Sequence, residues 1–454
     1  MGSRKPNIIL ITFDSGRSDH MGFLGYPKDT TPFLDLLAKK GVVFQNAFST
    51  GPGSSVSFVG MMTSTYPLDY GGYSYVDKPR VLISEVLKND GYTTIGVHSS
   101  AYLSGYFGYN RGWDVFCYAN YFSKDGASIN PGLRRDTMKA KVSRKSFSFK
   151  KWLDDKNRIL SFAFQAVERI LLLIRKLLKD AIDFKPAFFT AEEINKEVAT
   201  ILEKKRAAGS LFLWVHYLDA HAPYGLFMRK GRGFASKLKY HLSDILSFIV
   251  GDVDFINRIF KKFYLDIYDE SLRYVDRNIR DLFEYLRTRG VLDDKSIVAI
   301  AADHGETFSD HGQSGHSQVL FNENIKVPLI FYSPKLLSPS VKRTPVSLID
   351  LSPTILKLAG TGQPAVFKGK SVFEGGERPV ISQASECEGD LSGAVFTGAT
   401  AIYKGYKLIH WKNKKMLFSL HDTKEENDLY DERKDVARAM EKILLPYEKV
   451  DFAE

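Results

Sequence analysis

Three short apolar runs, each leading into side chains that can bind a metal, constrain this 454-residue chain more than any other feature. Residues 7–13 (NIILITF) run directly into Asp14. Leu211–Tyr217 (LFLWVHY) precedes Asp219 and His221, and residues 296–302 (SIVAIAA) precede Asp303 and His304. Runs this brief, nearly all apolar and bounded by polar residues, read as strands buried on both faces of a parallel sheet. Open α/β sheets bind their ligands outside the carboxyl ends of such strands. Asp303 and His304 offer one oxygen and one nitrogen donor from a single loop. The polar stretch 310–316 (DHGQSGH) carries His311 and His316 toward the same mouth. An ordinary strand-end turn accounts for the Asp-His pair alone equally well, so the rest of the chain decides.

The first run supports the same architecture. Its following loop, 14–20 (DSGRSDH), is polar and glycine-bearing, as an active-site loop at a strand end would be. Residues 31–40 (TPFLDLLAKK) form an expected helix, with Pro32 near its start and Gly41 past its end. A short strand is expected over 42–47. The stretch 49–58 (STGPGSSVSF) then feeds hydroxyls toward a helix expected from Val59 to Ser64. Free amide hydrogens and the helix dipole would favour an anion there. Alternatively, Ser54 or Ser55 merely caps the helix. Residues 82–88 and 94–98 read as helix and strand, and the apolar spacing over 264–286 predicts a helix packed on the sheet. Past Gly360, glycine-rich turns, strands over 394–396 and 406–410 and a last helix suggest a small subdomain.

Composition narrows the class. A length of 454 residues can bury a large core. Two cysteines, Cys117 and Cys387, are too few for a disulfide framework, which points to a reducing compartment. No signal peptide is visible and no apolar run reaches membrane-spanning length, so a cytoplasmic location is expected. The net charge of +10 is concentrated: residues 134–185 hold fifteen Lys/Arg against six Asp/Glu. Within that segment, 156–182 has the apolar spacing of a basic amphipathic helix. Such a helix buries its apolar face in its own protein or lies on an anionic membrane. The stretch 225–263 is similar, and together the two could form a lid over a lipid-linked substrate. Basic patches without interleaved aromatic groove motifs give nucleic-acid binding little support.

The ordered set of motifs resembles the sulfatase branch of the alkaline phosphatase superfamily. The resemblance runs through PNIILITFD (6–14), FQNAF (44–48), the serine loop ending at Tyr66-Pro67, GYTT (91–94) and RGWDVF (111–116). It continues through DAHAPY (219–224), DHGE (303–306), VPLI (327–330) and DLSPT (350–354). It implies an α/β fold: a doubly wound sheet with helices on both faces, a metal at the strand carboxyl ends and a small C-terminal α+β subdomain. The catalytic domain would span 1–359, with helical insertions at about 119–190 and 225–263, and the subdomain 360–454.

Departures from the family pattern shift the expected chemistry. Counting back from Tyr66-Pro67, Ser54 stands where sulfatases carry the Cys or Ser converted to formylglycine. The surrounding Ser54-Ser55-Val56-Ser57-Phe58 lacks the proline and arginine of the modification signal. An unmodified Ser54 could act as a metal-activated nucleophile, as in the superfamily's phosphatases and phosphotransferases. The expected metal ligands are Asp14, Ser54, Asp303 and His304, a set favouring zinc or manganese, with calcium as the alternative. His221 and His316 resemble the paired histidines of the phosphoethanolamine and phosphoglycerol transferases and join Ser54 as expected catalytic residues. Arg17, Asp219 and His311 are expected to bind substrate, or Asp219 to share a second metal with the histidines. The expected partner is an anionic phosphate or sulfate ester, glycan- or lipid-linked. A true sulfatase with modified Ser54 and an inactive anion-binding relative are the alternatives.

Overall fold

A computed structural model describes residues 5–73, 75–119, 188–204, 209–222, 224–225, 253–315, 318–387 and 394–449. The basic segment 134–185, its expected amphipathic helix and most of the stretch 225–263 lie outside these residues. The main-sheet strands are β1 (Ile8–Phe13), β2 (Val42–Phe48), β3 (Thr93–His98), β4 (Val115–Tyr118), β5 (Leu211–Tyr217) and β6 (Ile297–Ala302). A small hairpin follows, β7 (Thr307–Phe308) with β8 (Ser314–Gly315). Then come β9 (Lys326–Tyr332), β10 (Ser340–Lys342) and β11 (Val346–Ser347). The strand order is β10-β2-β9-β6-β1-β5-β3-β4, with β11 also pairing β2.

The three apolar runs form the centre, as their composition predicts. β1 pairs in parallel with β6 on one side and β5 on the other, and every residue of all three strands is buried. β9 runs antiparallel to both β6 and β2, so the sheet is mixed rather than wholly parallel. The register is level: Phe13 stands opposite Ala302 and Tyr217. Asp14 and Asp303, one residue further on, therefore leave the sheet side by side.

Helices α1 (Pro32–Ala38), α2 (Ser54–Thr63), α3 (Ile83–Asn89), α4 (Ala191–Lys204) and α5 (Val253–Thr288) accompany this sheet. Two differ from expectation. α2 begins at Ser54, five residues earlier than the apolar pattern suggests, because the polar Ser54, Ser55 and Ser57 occupy its first turn. α5 begins at Val253 and takes in the end of the stretch 225–263; its 36 residues make a rod of roughly 54 Å. Its Tyr268 hydroxyl accepts from the Arg17 N–H at 2.8 Å and donates to the Ser15 carbonyl at 2.6 Å, pinning the loop after β1.

Two short helices follow, α6 (Asn322–Ile325) and α7 (Leu351–Ala359). The C-terminal unit is an antiparallel sheet of β12 (Val380–Cys387), β13 (Ala394–Tyr403), β14 (Tyr406–Trp411) and β15 (Lys414–Ser419), with α8 (Lys434–Leu444) against it. Both expected strands are present and longer than the sequence suggested. This sheet is bonded to the serine loop: Gln383 N–H donates to the Thr50 carbonyl at 2.8 Å, and the Ser382 hydroxyl to the Ser49 carbonyl at 2.5 Å. Gly51 is required here, since a Cβ would lie 2.6 Å from the Gln383 carbonyl oxygen. Among the described residues, no helix is long and apolar enough to cross a membrane.

Candidate metal centre and nucleophile

The level strand ends gather Asp14, Asp303 and His304, and α2 brings Ser54 to them. Gly53 holds the extended conformation of the capping position, so neither Ser54 nor Ser55 is the helix cap. The Ser54 hydroxyl instead donates to Asp14 Oδ2 at 3.0 Å and lies 3.2 Å from His304 Nε2. Ser57, one turn on, donates to the Asp303 carbonyl at 2.6 Å and ties α2 to the end of β6.

The orientation of His304 follows from its other nitrogen. Nδ1 lies 2.7 Å from the Gly305 carbonyl, which can only accept, so Nδ1 carries the proton. Nε2 is left as an acceptor, 3.5 Å from Asp14 Oδ1 and 3.6 Å from Asp303 Oδ2. Asp303 Oδ1 accepts from the backbone N–H groups of Ser15 and His304, at 3.2 and 2.9 Å. These bonds leave Oδ2 turned toward the centre.

One member was not among the expected ligands. His216 sits inside β5, opposite Thr12 of β1, and its Nε2 reaches to 3.9 Å from Asp14 Oδ2. Ligand atoms of Asp14, His216 and Asp303 lie within 4.8 Å of one another, and all three residues are buried. An imidazole within an apolar strand reads as core; the available signal was its place one residue before the end of a central strand.

The electrostatics suit a cation. His216 Nε2 and Asp303 Oδ2 are buried with no hydrogen-bond partner among the described residues, a costly state for polar atoms. Burial and then the neighbouring Asp14 charge push the Asp303 pKa well above the carboxylate range, against the Ser54 hydroxyl and the two backbone donors. Burial lowers the His216 pKa to about 4, opposed by Asp14 and aided by His304. A divalent cation bound among Asp14, Asp303, His304, His216 and Ser54 would meet both orphaned atoms and neutralise the paired carboxylates. The residues present fit such an ion.

The remaining expected residues are placed as follows. His221 lies in the turn after β5, half-buried, near enough to His216 to disfavour a second positive charge there. His316 falls outside the described residues. Asp219 is buried and accepts from the Ala191 N–H at the start of α4, at 2.9 Å. The Arg17 guanidinium is buried against Asp19 and Asp310, with bonds of 2.7–2.9 Å, and also donates to the Glu306 carbonyl. His311 stacks on Phe321 and lies 2.7 Å from Glu323 and 3.3 Å from the Glu425 carbonyl, facing the C-terminal unit. The structure thus assembles Asp14, Ser54, Asp303 and His304, and commits the side chains of Arg17 and His311 to other partners.

Comparison with known proteins shows the family. The sulfatase family profile matches residues 6–361. An ulvan-active sulfatase of Formosa agariphila is 25% identical over 82% of this chain, the match spanning 65% of that relative. The uncharacterized sulfatase YidJ of Escherichia coli is 23% identical over 98% of this chain and 87% of its own length. Among solved structures, a protein in complex with D-glucosamine-2-N,6-O-disulfate superposes with a TM-score of 0.68 at 15% identity, covering 98% and 97% of the two chains. The phosphonate monoester hydrolase of Agrobacterium radiobacter does so with 0.66 at 15%, covering 97% and 95%. With the family profile running from β1 through the serine loop and the Asp303-His304 turn to α7, the chain belongs to the sulfatase family, a family of ester hydrolases.

Proposed function

We propose that this chain is a metal-dependent hydrolase of anionic phosphate or phosphonate esters that uses the unmodified Ser54 hydroxyl as its nucleophile. The observation carrying the proposal is the position of that hydroxyl, at once on Asp14 and beside His304. A serine in this position needs no oxidation to act, and the residues around it lack the proline and arginine of the modification signal. A bound divalent cation would polarise the ester oxygen and favour the ionised form of a hydroxyl beside it. Two imidazoles with two carboxylates suit zinc or manganese better than calcium, which prefers six to eight oxygens.

In the first step the Ser54 Oγ–P bond forms and the ester P–O bond breaks. The Ser54 proton passes to Asp14 Oδ2, its hydrogen-bond acceptor, and His221 protonates the leaving alcohol. Water, giving a proton to His221, then attacks phosphorus; the Ser54 Oγ–P bond breaks, Asp14 returns its proton to Oγ, and phosphate or phosphonate leaves, while an acceptor alcohol in place of water would give transfer. A serine sulfate ester offers no comparable exit at sulfur, which is why phosphorus is favoured while Ser54 stays unmodified. The substrate alcohol is proposed to be glycan- or lipid-linked, since one structural neighbour holds a sulfated glucosamine.

The family itself supports a second reading, a true sulfatase with Ser54 converted to formylglycine. The deciding experiment measures hydrolysis of chromogenic phosphate, phosphonate and sulfate esters with zinc, manganese or calcium, in the native chain and Ser54→Ala. Phosphorus-ester turnover lost in the mutant, with an unaltered mass for the Ser54 peptide, supports the proposal. Sulfate turnover alone, with a mass change on that peptide, overturns it.

A further inference from the structure

We propose that Thr12 and Trp214 hold His216 in the tautomer whose Nε2 is bare, making His216 a nitrogen donor to the cation at Asp14 and Asp303. The argument is a count of hydrogens around one hydroxyl. Thr12 Oγ1 lies 3.0 Å from Trp214 Nε1, 3.0 Å from His216 Nδ1 and 3.3 Å from the Val215 carbonyl. The indole nitrogen can only donate and the carbonyl can only accept; the hydroxyl has one hydrogen and two lone pairs. If Thr12 gives its hydrogen to Val215, it has lone pairs for both the Trp214 N–H and a His216 Nδ1–H. All three contacts are then satisfied, and Nε2 is left with its lone pair.

The other arrangement fails at Nε2. There the Thr12 hydrogen goes to Nδ1 and the ring proton must sit on Nε2. Asp14 Oδ2, 3.9 Å away, is beyond hydrogen-bond reach, and Nε2 has no hydrogen-bond partner among the described residues. A buried N–H would be stranded. The ring is also hemmed in: Phe58 meets it edge-on with centroids 4.9 Å apart, and Trp214 lies parallel at 6.4 Å. The bare Nε2 has a use only beside a cation, and it points to the ligand atoms of Asp14 and Asp303. Thr12 and Trp214 are therefore positioning residues, acting through His216 as outer partners of metal-binding histidines do.

The inference rests on the proposed function only in requiring a divalent cation at Asp14 and Asp303; it does not depend on the ester or on Ser54. The test is titration of the full-length chain with Co²⁺, reading visible d–d absorption and the binding isotherm in native protein, His216→Ala, Thr12→Val and Thr12→Ser. Loss of a nitrogen donor should shift the d–d bands in His216→Ala and weaken binding. Thr12→Val should weaken Co²⁺ binding about tenfold or more, and Thr12→Ser should restore it. Histidine-selective ¹⁵N labelling of the cation-free chain should show a His216 resonance protonated at Nδ1, identified by its loss in His216→Ala. A resonance protonated at Nε2 overturns the proposal, and so do unchanged bands and affinity in His216→Ala. Failure of the native chain to take up Co²⁺ overturns the metal-dependent function as well. Thr12→Ser keeps the test decisive if either larger change unfolds the protein: unchanged affinity there, with the Nδ1-protonated resonance, supports the hydroxyl's role.

Discussion

Asp14 and Arg17 are three residues apart on one loop, yet they anchor two opposite kinds of charged cluster. Around Arg17 the charges are matched. Its guanidinium donates two bonds to Asp19 and one to Asp310, which is also held by Lys261 at 2.7 Å. Burial works against ionising Asp310, but Arg17 and Lys261 prevail and bring its pKa down to about 2. Around Asp14 the charges are not matched: two carboxylates share a buried site with two imidazoles, and two polar atoms have no hydrogen-bond partner among the described residues. Burial and Asp14 push Asp303 in the direction opposite to Asp310. A cluster that satisfies itself holds a loop in place. One that does not is built to receive something.

The contrast can be broken first at its unmatched side. Asp303→Asn keeps a carbonyl oxygen for the backbone N–H groups of Ser15 and His304 while removing one of two facing carboxylates. Hydrolytic activity should fall by roughly 10²–10³-fold, the scale of losing one preorganised electrostatic contact. The cation-free protein should become more stable, because Asp303 no longer has to be either ionised beside Asp14 or protonated against its ordinary pKa. Thermal unfolding with and without a chelator checks both halves: the native chain should gain stability from metal and the variant should not. A cation-free variant less stable than the native chain would mean that the Asp14 cluster is not frustrated.

The matched side should respond in the reverse sense. Arg17→Met removes the cation but keeps much of the apolar stem, leaving Asp19 and Asp310 without it. Asp19 is largely exposed and Asp310 retains Lys261, so the loss should be about 2–3 kcal/mol, at or below the lower end of the usual range for a broken buried pair. Urea unfolding measures it. Metal affinity should change far less than in Asp303→Asn, and an equal loss of metal binding would show that the two clusters are one.

The two clusters were not equally legible in the sequence. Asp14, Asp303 and His304 were readable because a strand's carboxyl end is a fixed place, and Ser54 because the family motif marks it. His216 was hidden by its strand: LFLWVHY reads as core, and only the register of Thr12 opposite His216 brings the ring to the site. Arg17 and His311 looked like substrate contacts because each lies in a polar strand-end loop. Their partners Asp310 and Glu425 are 293 and 114 residues distant in sequence, which local pattern cannot pair. The central strands were legible because burial on both faces leaves a one-residue-scale signature. The start of α2 was not, since its first turn is polar for the sake of the site.

Asp219 tests the distinction at an intermediate point, a buried carboxylate with no cation beside it among the described residues but with backbone donors. Burial raises its pKa to about 8, opposed by the Ala191 N–H and its own backbone and reinforced by Glu193. Between the ordinary carboxylate value and about 8, the folded state therefore binds more protons at this group than the unfolded chain does. Its contribution to stability must fall as pH rises through that window, and level off above it. Asp219→Asn keeps an oxygen for the Ala191 N–H and removes the titration. The variant's advantage over the native chain should grow by about 1–2 kcal/mol between pH 5 and pH 8, a discounted figure for a group that relaxes on ionisation. Unfolding measured from pH 5 to pH 9 in the presence of a chelator isolates this group from metal uptake. If the difference between the two chains does not grow with pH, Asp219 is already ionised in the fold, and backbone donors alone are enough to complete a buried carboxylate. The Asp14 cluster would then owe its character to the second carboxylate and not to burial.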